Sequence, residues 1–187
     1  MHYLSNIYPL QPETIDEIKN RSKRRHLKKN EILIPSQSIC NHLFFLESGS
    51  IKSFHMDEGR EHTSWVYFEE EMFTSWHSFI LKMESVDCFR ANETSEIISF
   101  SRDDIQYLKH SCVDFVYFLN SYYEFSIGFY DYFTKKLPAL PAIENYKFIL
   151  ENYPKLIQRA SNSDIASIIG VSRETVSRVR AQLSSTL

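Results

Sequence analysis

The stretch NSDIASIIGVSRETVSRVRA, residues 162–181, decides the fold of the C-terminal part of the chain. Its apolar residues recur at helical spacing on both sides of Gly170, which predicts two short helices joined by a turn. Two helices that cross closely need a small side chain, which Ala166 supplies, and Gly170 can adopt the positive φ of the turn. The predicted caps are Asn162 or Ser163 for the first helix and Ser172 for the second. The predicted interhelical contacts are Ile165, Ile169, Val171, Val176 and Val179.

The second of these helices, predicted over residues 172–183, carries outward-facing polar side chains in its first turns. Arginine can donate to O6 and N7 of guanine and glutamate can accept from N4 of cytosine, so such side chains can read base edges in the DNA major groove. The residues predicted to contact bases are Arg173, Glu174, Ser177 and Arg178. Hydroxyls near helix N-termini and basic side chains suit phosphates, and the predicted phosphate contacts are Ser163, Ser172, Thr175 and Arg180.

The distribution of charge supports a DNA-binding segment, although the total charge does not. With 21 Lys and Arg residues against 24 Asp and Glu residues, the chain carries a formal net charge of -3, which argues against a nucleic-acid partner. From Lys155 to Leu187, however, five basic residues stand against two acidic ones, so this segment carries +3 and the remainder -6. The acidic total therefore conceals a basic C-terminal segment.

The N-terminal part of the sequence predicts a β domain. Between Glu31 and Phe100, apolar runs alternate with turn signals about every ten residues, which is typical of an antiparallel sandwich or barrel. The clearest turns are at residues 47–49 and 57–60, and Gly59 predicts a hairpin at the second. Residues 73–81 are predicted to be helical, and Ser101 is predicted to cap a helix after the last strand.

An aromatic helix is predicted from about residue 111 to residue 137. Residues 113–133 hold ten of the 27 aromatic residues, and two apolar faces run along this segment. Two faces need two partners, the protein's own β domain and the same helix of a second copy; a helix buried in a monomer is the alternative. The predicted dimer-helix residues are Phe115, Leu119, Tyr122, Ser126, Phe129 and Phe133. The second face consists of Val116, Tyr123, Ile127 and Tyr130.

Two prolines mark the predicted domain boundary. Pro138 and Pro141 lack a backbone N–H and restrict the residues before them, so the aromatic helix is predicted to end before Pro138. The chain is thereby divided into a sensor domain with its dimer helix, residues 1–137, and a helix-turn-helix domain, residues 138–187.

Composition excludes several classes of protein. Only four glycines are present, and no Gly-rich phosphate-binding motif occurs, which excludes Rossmann and P-loop enzymes. Cys40, Cys88 and Cys112 are widely separated and fit a reduced chain better than a disulfide framework. No signal peptide, membrane span, metal-ligand cluster or catalytic constellation stands out. We therefore expect a cytoplasmic protein with no membrane partner, no metal and no enzymatic activity.

The chain resembles the Crp/Fnr family of bacterial transcription regulators over nearly its whole length. The stretch IGVSRETVSR, residues 169–178, is close to the family's recognition-helix signature, and the turns at residues 46–49 and 57–61 fall where the family's cyclic-nucleotide-binding-like jelly roll has its turns. The resemblance implies an α+β fold with an N-terminal double-stranded β-helix (jelly roll), a long dimerisation α-helix and a C-terminal helix-turn-helix domain. It also implies base contacts by Arg173, Glu174 and Arg178.

The effector site departs from the family pattern. The family binds a cyclic nucleotide through a Phe-Gly-Glu cassette and a later Arg, whereas residues 72–77 read MFTSWH and Ser85 stands where the phosphate-binding Arg is expected. Burying an unpartnered phosphate is costly, so cyclic AMP is not expected as the effector, and no cofactor is predicted. Trp76, Phe79 and Phe89 either fill the pocket or line an apolar one. The candidate effector-pocket residues are Phe73, Thr74, Ser75, Trp76, Phe89 and Arg90.

A second departure lies at the C-terminal end of the sequence. Only residues 182–187 follow the helix-turn-helix stretch at residues 162–181, so the β-hairpin wing of the family is expected to be missing or truncated.

Together these features predict a homodimeric, sequence-specific transcription regulator that reads a pseudo-palindromic site in double-stranded DNA, with half-sites roughly 34 Å apart. RNA polymerase and an unknown small-molecule effector are further expected partners. The alternative is a ligand-binding or protein-interaction module in which the helix-turn-helix is only a packing unit.

Overall fold

The computed structural model describes residues 8–184, without the side chains of Pro138 and Ser184. Within this range the chain forms eight strands and eight helices. The strands are β1 (Lys23–Leu27), β2 (Ile32–Ile34), β3 (His42–Ser48), β4 (Ile51–Asp57), β5 (Arg60–Tyr67), β6 (Met72–Phe73), β7 (Cys88–Ala91) and β8 (Ser95–Ser101). The helices are α1 (Pro12–Arg21), α2 (Trp76–Leu81), α3 (Arg102–Ser111), α4 (Val113–Ala139), α5 (Ala142–Asn152), α6 (Pro154–Arg159), α7 (Asn162–Ile169) and α8 (Arg173–Ser184).

The strands form two four-stranded sheets, with strand orders β1-β8-β3-β6 and β2-β7-β4-β5. The pairs β1–β8, β3–β8, β3–β6 and β2–β7 are antiparallel. In the β3–β8 pair, Leu43 lies opposite Phe100 and Leu46 lies opposite Ile97. Most neighbours within a sheet are distant in sequence, because the chain crosses repeatedly from one sheet to the other. The predicted α+β fold with an N-terminal β-roll is therefore confirmed.

Strand β3 is buried on both faces, which explains the continuous apolar run from Leu43 to Leu46. Successive side chains of a strand point to opposite faces. Leu43 and Phe45 accordingly join one buried cluster, and Phe44 and Leu46 join the other. The first cluster includes residues of α2, α3 and α4, namely Phe79, Ile105, Leu108, Phe115, Phe118 and Leu119. The second is built mainly from strands and includes Leu27, Ile51, Phe73, Phe89, Ala91 and Ile97.

The predicted hairpin turn and helix cap are both confirmed. Glu58 and Gly59, between β4 and β5, have φ angles of 46° and 76°, as a two-residue turn with two left-handed positions requires. The Ser101 hydroxyl accepts the backbone N–H of Asp104, and the Asp104 carboxylate accepts the backbone N–H of Ser101. These reciprocal bonds form a capping box at the start of α3.

The predicted helix at residues 73–81 begins later than expected. Met72 and Phe73 form the short strand β6, in which Phe73 pairs with Phe44 of β3, and α2 begins only at Trp76. The pairing of β6 with a distant strand satisfies its backbone groups, which local sequence patterns do not reveal.

Helix α4 extends for 27 residues to Ala139, two residues beyond its predicted end. Its apolar faces are interrupted by charged residues, and among the helices of residues 8–184 none is long and apolar enough to cross a membrane.

The two compact units of the chain differ from the predicted division at residues 137 and 138. One unit contains the chain up to Lys52 together with Tyr67–Gly128, and the other contains Ser53–Val66 together with the chain from Phe129 onward. The outer part of the β4–β5 hairpin and the last part of α4 therefore belong with the C-terminal helices.

The physical reason for this division is an aromatic cluster within the second unit. Trp65 of β5 lies edge-on to Phe133 and Tyr153, with ring centroids 5.1 and 5.4 Å apart. Phe129 adds a third ring 6.0 Å from Trp65. The four rings are half-buried and pack against one another, so the hairpin and the C-terminal helices share an aromatic cluster.

Candidate nucleic-acid interface

Helices α7 and α8 form the two-helix unit predicted at residues 162–181. Between them, Gly170 adopts a left-handed conformation with φ 71° and ψ 35°. The amide of Gly170 donates to the carbonyl of Ser167 at 3.2 Å, and the amide of Val171 donates to that of Ala166 at 2.9 Å, which is a Schellman C-cap. The buried residues of the two helices are Ile165, Ala166, Ile169, Val176 and Val179, whereas Val171 is half-buried.

A serine caps each of these helices. The Ser172 hydroxyl accepts the backbone N–H of Thr175 at 3.1 Å, which confirms Ser172 as the cap of α8. The cap of α7 is Ser161, whose hydroxyl accepts the backbone N–H of Asp164 at 3.1 Å. The prediction of Asn162 or Ser163 as the cap was therefore wrong, because α7 begins at Asn162 and its cap lies one residue earlier.

The predicted base-contacting side chains share an exposed surface on the first turns of α8. Arg173, Glu174, Ser177 and Arg178 are all exposed. Nη2 of Arg178 donates to Thr175 Oγ1 at 3.1 Å, and Thr175 Oγ1 lies 3.0 Å from Ser172 Oγ. This chain of hydrogen bonds links the Arg178 guanidinium to the helix cap.

Glu174 is ionised at neutral pH. Hydrogen bonds from its own backbone N–H and from the Ser172 hydroxyl, together with the nearby Arg173 and Arg178, hold the pKa of the Glu174 carboxyl below its usual value. An ionised carboxylate only accepts hydrogen bonds, which is what the amino group of a cytosine requires.

Arg180, a predicted phosphate contact, is bound inside the unit instead. Its Nε donates to the hydroxyl of Tyr146 at 2.8 Å, and its Nη2 donates to the carbonyl of Ile157 at 2.7 Å. The side chain is half-buried and joins α8 to α5 and α6. Arg180 lies next to the buried Val179 on α8, and from there its side chain reaches α5 and α6.

A contact between β5 and α7 has no counterpart in the sequence analysis. The Thr63 hydroxyl donates to Asp164 Oδ1 at 2.8 Å, and the Ser167 hydroxyl donates to the carbonyl of Thr63 at 3.1 Å. Thr63 and Asp164 are 101 residues apart, and no local pattern signals a contact over that separation.

A known domain family and several solved structures resemble this architecture. Residues 24–111 match the cyclic nucleotide-binding domain family. The catabolite activator protein of Thermus thermophilus superposes with a TM-score of 0.60 at 21% identity, covering 98% of this chain and 87% of that one. FixK2 of Bradyrhizobium japonicum gives a TM-score of 0.73 at 17% identity, with 88% and 85% covered. A protein of Eubacterium rectale assigned to the Crp/Fnr family of transcriptional regulators gives 0.66 at 17% identity, with 97% and 88% covered.

The chain has the fold of the Crp/Fnr transcription regulators. At the level of the fold, the resemblance that the sequence indicates is therefore confirmed. No protein of curated function matches the sequence significantly.

In this Crp/Fnr fold, most of the predicted effector-pocket residues are part of the core. Phe73 and Phe89 are buried and stack with Tyr67, with ring centroids 5.1 and 6.1 Å from it. The buried Thr74 hydroxyl donates to the carbonyl of His42 at 2.8 Å. Trp76 and Arg90 are half-buried, and Trp76 contacts Tyr122 and Tyr123 of α4.

Two serines occupy the interior near this cluster. Ser85, which stands where the family's phosphate-binding Arg is expected, is buried, and its hydroxyl donates to the carbonyl of Asp87 at 2.6 Å. The same hydroxyl lies 2.8 Å from Ser75 Oγ, which is also buried. A surface cleft of about 520 Å³ involves none of the six predicted residues and is lined by Glu17, Asn20, Arg21, Lys23, Ser101, Asp104 and Tyr107.

The six predicted dimer-helix residues of α4 are largely engaged within one chain. Phe115 and Leu119 are buried in the helix-lined cluster, and the Tyr122 hydroxyl donates to the carbonyl of Met72 at 2.8 Å. The Ser126 hydroxyl donates to the carbonyl of Tyr122, while Phe129 and Phe133 pack around Trp65. The second apolar face is more open, since Ile127 and Tyr130 are 69% and 70% exposed.

The end of α8 also differs from its prediction. α8 continues to Ser184, one residue beyond the predicted bound. The prediction of a missing or truncated wing concerns residues 185–187, which lie outside the described residues.

A phosphate contact and a packing contact predict different effects of Arg180→Met on stability. This substitution keeps the apolar stem but removes the Nε and Nη2 donors that bond to Tyr146 and Ile157. Because the Tyr146 hydroxyl and the Ile157 carbonyl lose a charged partner, we expect a loss of about 1 to 3 kcal/mol in the free energy of unfolding. Urea denaturation measures this loss. The exposed Arg178→Met is the matched control and should change stability by less than about 0.5 kcal/mol. Equal stability of both variants would contradict the packing role of Arg180.

Proposed function

We propose that the protein is a sequence-specific DNA-binding transcription regulator of the Crp/Fnr type. The observation that carries this proposal is the exposed face of α8, which presents two arginines and an ionised glutamate on the first turns of the helix. The side chains that hold α8 in place, Val176 and Val179, lie on its buried side. A helix that served only for packing would not need arginines on its exposed side, where each can donate two parallel hydrogen bonds to a guanine.

The hydroxyl groups at the helix N-termini are the proposed phosphate contacts. Ser163 and Ser172 are exposed at the starts of α7 and α8, where unpaired amides and the helix dipole favour an anion. Thr175 is half-buried and connects Ser172 to Arg178, so it orders these two groups for DNA. Arg180 is left out of this set because its Nε and Nη2 donate to Tyr146 and to the carbonyl of Ile157 within the protein.

A homodimer is proposed through the second face of α4. Val116, Asn120, Tyr123, Ile127 and Tyr130 recur at alternating spacings of four and three residues, the heptad pattern of paired helices. An asparagine within such an apolar row favours a single register and a two-stranded pairing. A two-fold dimer carries two copies of α8 and so matches a pseudo-palindromic operator with half-sites roughly 34 Å apart.

An effector other than cyclic AMP is proposed for the β-roll. A cyclic nucleotide brings a phosphate that needs a cationic or amide partner. Ser85 and Ser75 instead bond within the interior, and Phe73 and Phe89 fill the space beside them. Binding of cyclic AMP would therefore require breaking this packing, and Arg90 is the only cation among the six candidate pocket residues.

The DNA proposal predicts the effect of Arg173→Ala on binding. Duplexes are first selected from a random-sequence pool by the full chain, and footprinting locates the protected bases. We expect the substitution to cost about 1 to 3 kcal/mol of specific binding and to relax preference at one base pair, because a bidentate contact is lost. Fluorescence anisotropy with single-base variants of the selected duplex measures both effects.

The matched control for this test is Lys109→Ala, which removes an exposed positive charge on α3. It should leave base preference unchanged. A uniform loss on all duplexes with Arg173→Ala would make Arg173 a phosphate contact, and failure of the wild-type chain to select any sequence would favour the packing-unit alternative.

The dimer proposal predicts the effect of Ile127→Glu on oligomeric state. A charge placed on each copy at the centre of an apolar pairing would be desolvated opposite its symmetry mate, so we expect the dimer to dissociate. Sedimentation velocity of the full chain measures the mass. Ile80→Glu, at another exposed isoleucine, is the control and should leave the dimer intact. A wild-type monomer, or a dimer unaffected by Ile127→Glu, would contradict the proposal.

The effector proposal predicts that cyclic AMP does not stabilise the protein. A ligand present at one hundred times its Kd stabilises the native state by about 2.7 kcal/mol, which is visible as a rise in Tm. We expect millimolar cyclic AMP to leave Tm unchanged, while the selected DNA duplex, as positive control, raises it. A rise with cyclic AMP that Ser85→Ala abolishes would overturn this part of the proposal.

A further inference from the structure

The outer part of the β4–β5 hairpin, residues 53–66, contacts the first helix of the two-helix unit at Thr63. Thr63 is 6% exposed, and its hydroxyl donates to Asp164 Oδ1 at 2.8 Å. Its carbonyl accepts the Ser167 hydroxyl at 3.1 Å. Because Asp164 and Ser167 lie three residues apart on α7, Thr63 holds that helix at two points on one face.

Asp164 connects this contact to the cap of α7. Its Oδ2 accepts the Ser161 hydroxyl at 2.6 Å, and its backbone N–H donates to Ser161 Oγ at 3.1 Å. Hydrogen bonds to an ionised carboxylate are shorter and stronger than those between neutral groups. One carboxylate thus joins the hairpin to the N-terminus of α7.

The hairpin itself is held firmly beside this contact. Trp65, two residues after Thr63 on the same side of β5, lies among Phe129, Phe133 and Tyr153. The geometry with Phe133 and Tyr153 is edge-on, with interplanar angles of 89° and 85°. Thr63 is therefore presented to α7 from a strand whose neighbouring ring is fixed by three others.

The position of α7 in turn affects α8. The two helices bury Ile165, Ala166 and Ile169 of α7 with Val176 and Val179 of α8, and the turn between them is closed by bonds to Ala166 and Ser167. Close packing transmits small shifts, because such interiors have few voids. A rotation of α7 would consequently change the direction of the exposed side chains on the first turns of α8.

We propose that residues 53–66 are a working part of the DNA-reading unit, in which Thr63 is a positioning residue. Thr63 touches no DNA; it fixes α7 through Asp164 and Ser167 and so orients Arg173, Glu174 and Arg178. This inference rests on the proposed DNA-binding function, and it adds a β-strand residue to a site that is otherwise helical.

Positioning and mere stabilisation give different binding patterns. Base contacts depend on orientation, whereas attraction to phosphates is long-ranged and independent of sequence. Loss of positioning therefore weakens binding to a preferred sequence but spares binding to other sequences. A residue that only stabilises the fold lowers the folded fraction and weakens both kinds of binding equally.

The test uses the full chain carrying Thr63→Val, which removes the hydroxyl and keeps the shape of the side chain. The probes are the duplex selected from a random-sequence pool and the same duplex with scrambled half-sites. We expect Kd for the selected duplex to rise about three- to tenfold, the net worth of one typical hydrogen bond, and Kd for the scrambled duplex to stay within about twofold. Thr63→Ser retains the hydroxyl and should restore wild-type binding.

Two further variants make the comparison specific. Ser167→Ala removes the second bond to Thr63 and should shift the selectivity in the same direction as Thr63→Val. Ser64→Ala is the matched control, because the exposed Ser64 hydroxyl contacts His55 Nδ1 at 3.4 Å and not α7. It should leave both Kd values unchanged.

Hydrogen exchange measured without DNA separates this inference from the proposed function. In Thr63→Val, the amides of α7 should exchange about three- to tenfold faster, while those of α3 keep their wild-type rates. Unchanged exchange in α7, or equal losses on both duplexes, overturns the inference. If the wild-type chain selects no sequence, the positioning role fails with the proposed function, and faster exchange in α7 then identifies Thr63 as a packing contact only.

Discussion

The packing of α7 against α8 around Ala166 is the constraint on which the rest of the proposed interface depends. The exposed side of α8 has a definite direction only because Val176 and Val179 occupy definite places on its buried side. Gly170 makes that arrangement possible, since its left-handed conformation lets the chain reverse within a few residues while the last carbonyls of α7 remain bonded. Arg180 then ties α8 to α5 and α6 from a second direction.

The division of the chain into two compact units also depends on which elements pack their side chains together. β3 stays in the first unit because both of its faces are covered. The outer part of the β4–β5 hairpin, by contrast, belongs to the second unit because Trp65 packs against Phe133 and Tyr153 there. Units defined by packing therefore do not have to follow chain order, and two prolines in a linker are an incomplete guide to their boundary.

Features that depend on near neighbours could be predicted from the sequence. The turn at Gly170, the cap at Ser172, the hairpin at Gly59 and the cap at Ser101 each involve groups within a few residues of one another. The role of Arg180 could not be predicted, because its acceptors lie 23 and 34 residues away. For the same reason the sequence predicted Trp76 and Phe89 as pocket residues but left open whether they line an apolar pocket or fill it.

The aromatic filling of the β-roll also limits what the family match can imply about an effector. The match over residues 24–111 reflects the strands and turns that build the roll. Ligand chemistry, however, depends on the few side chains that would face a bound molecule. Here Tyr67, Phe73 and Phe89 stack on one another and Ser85 is bonded internally. A binder of phosphate needs free donors and open space, so the shared domain alone does not specify a phosphate ligand.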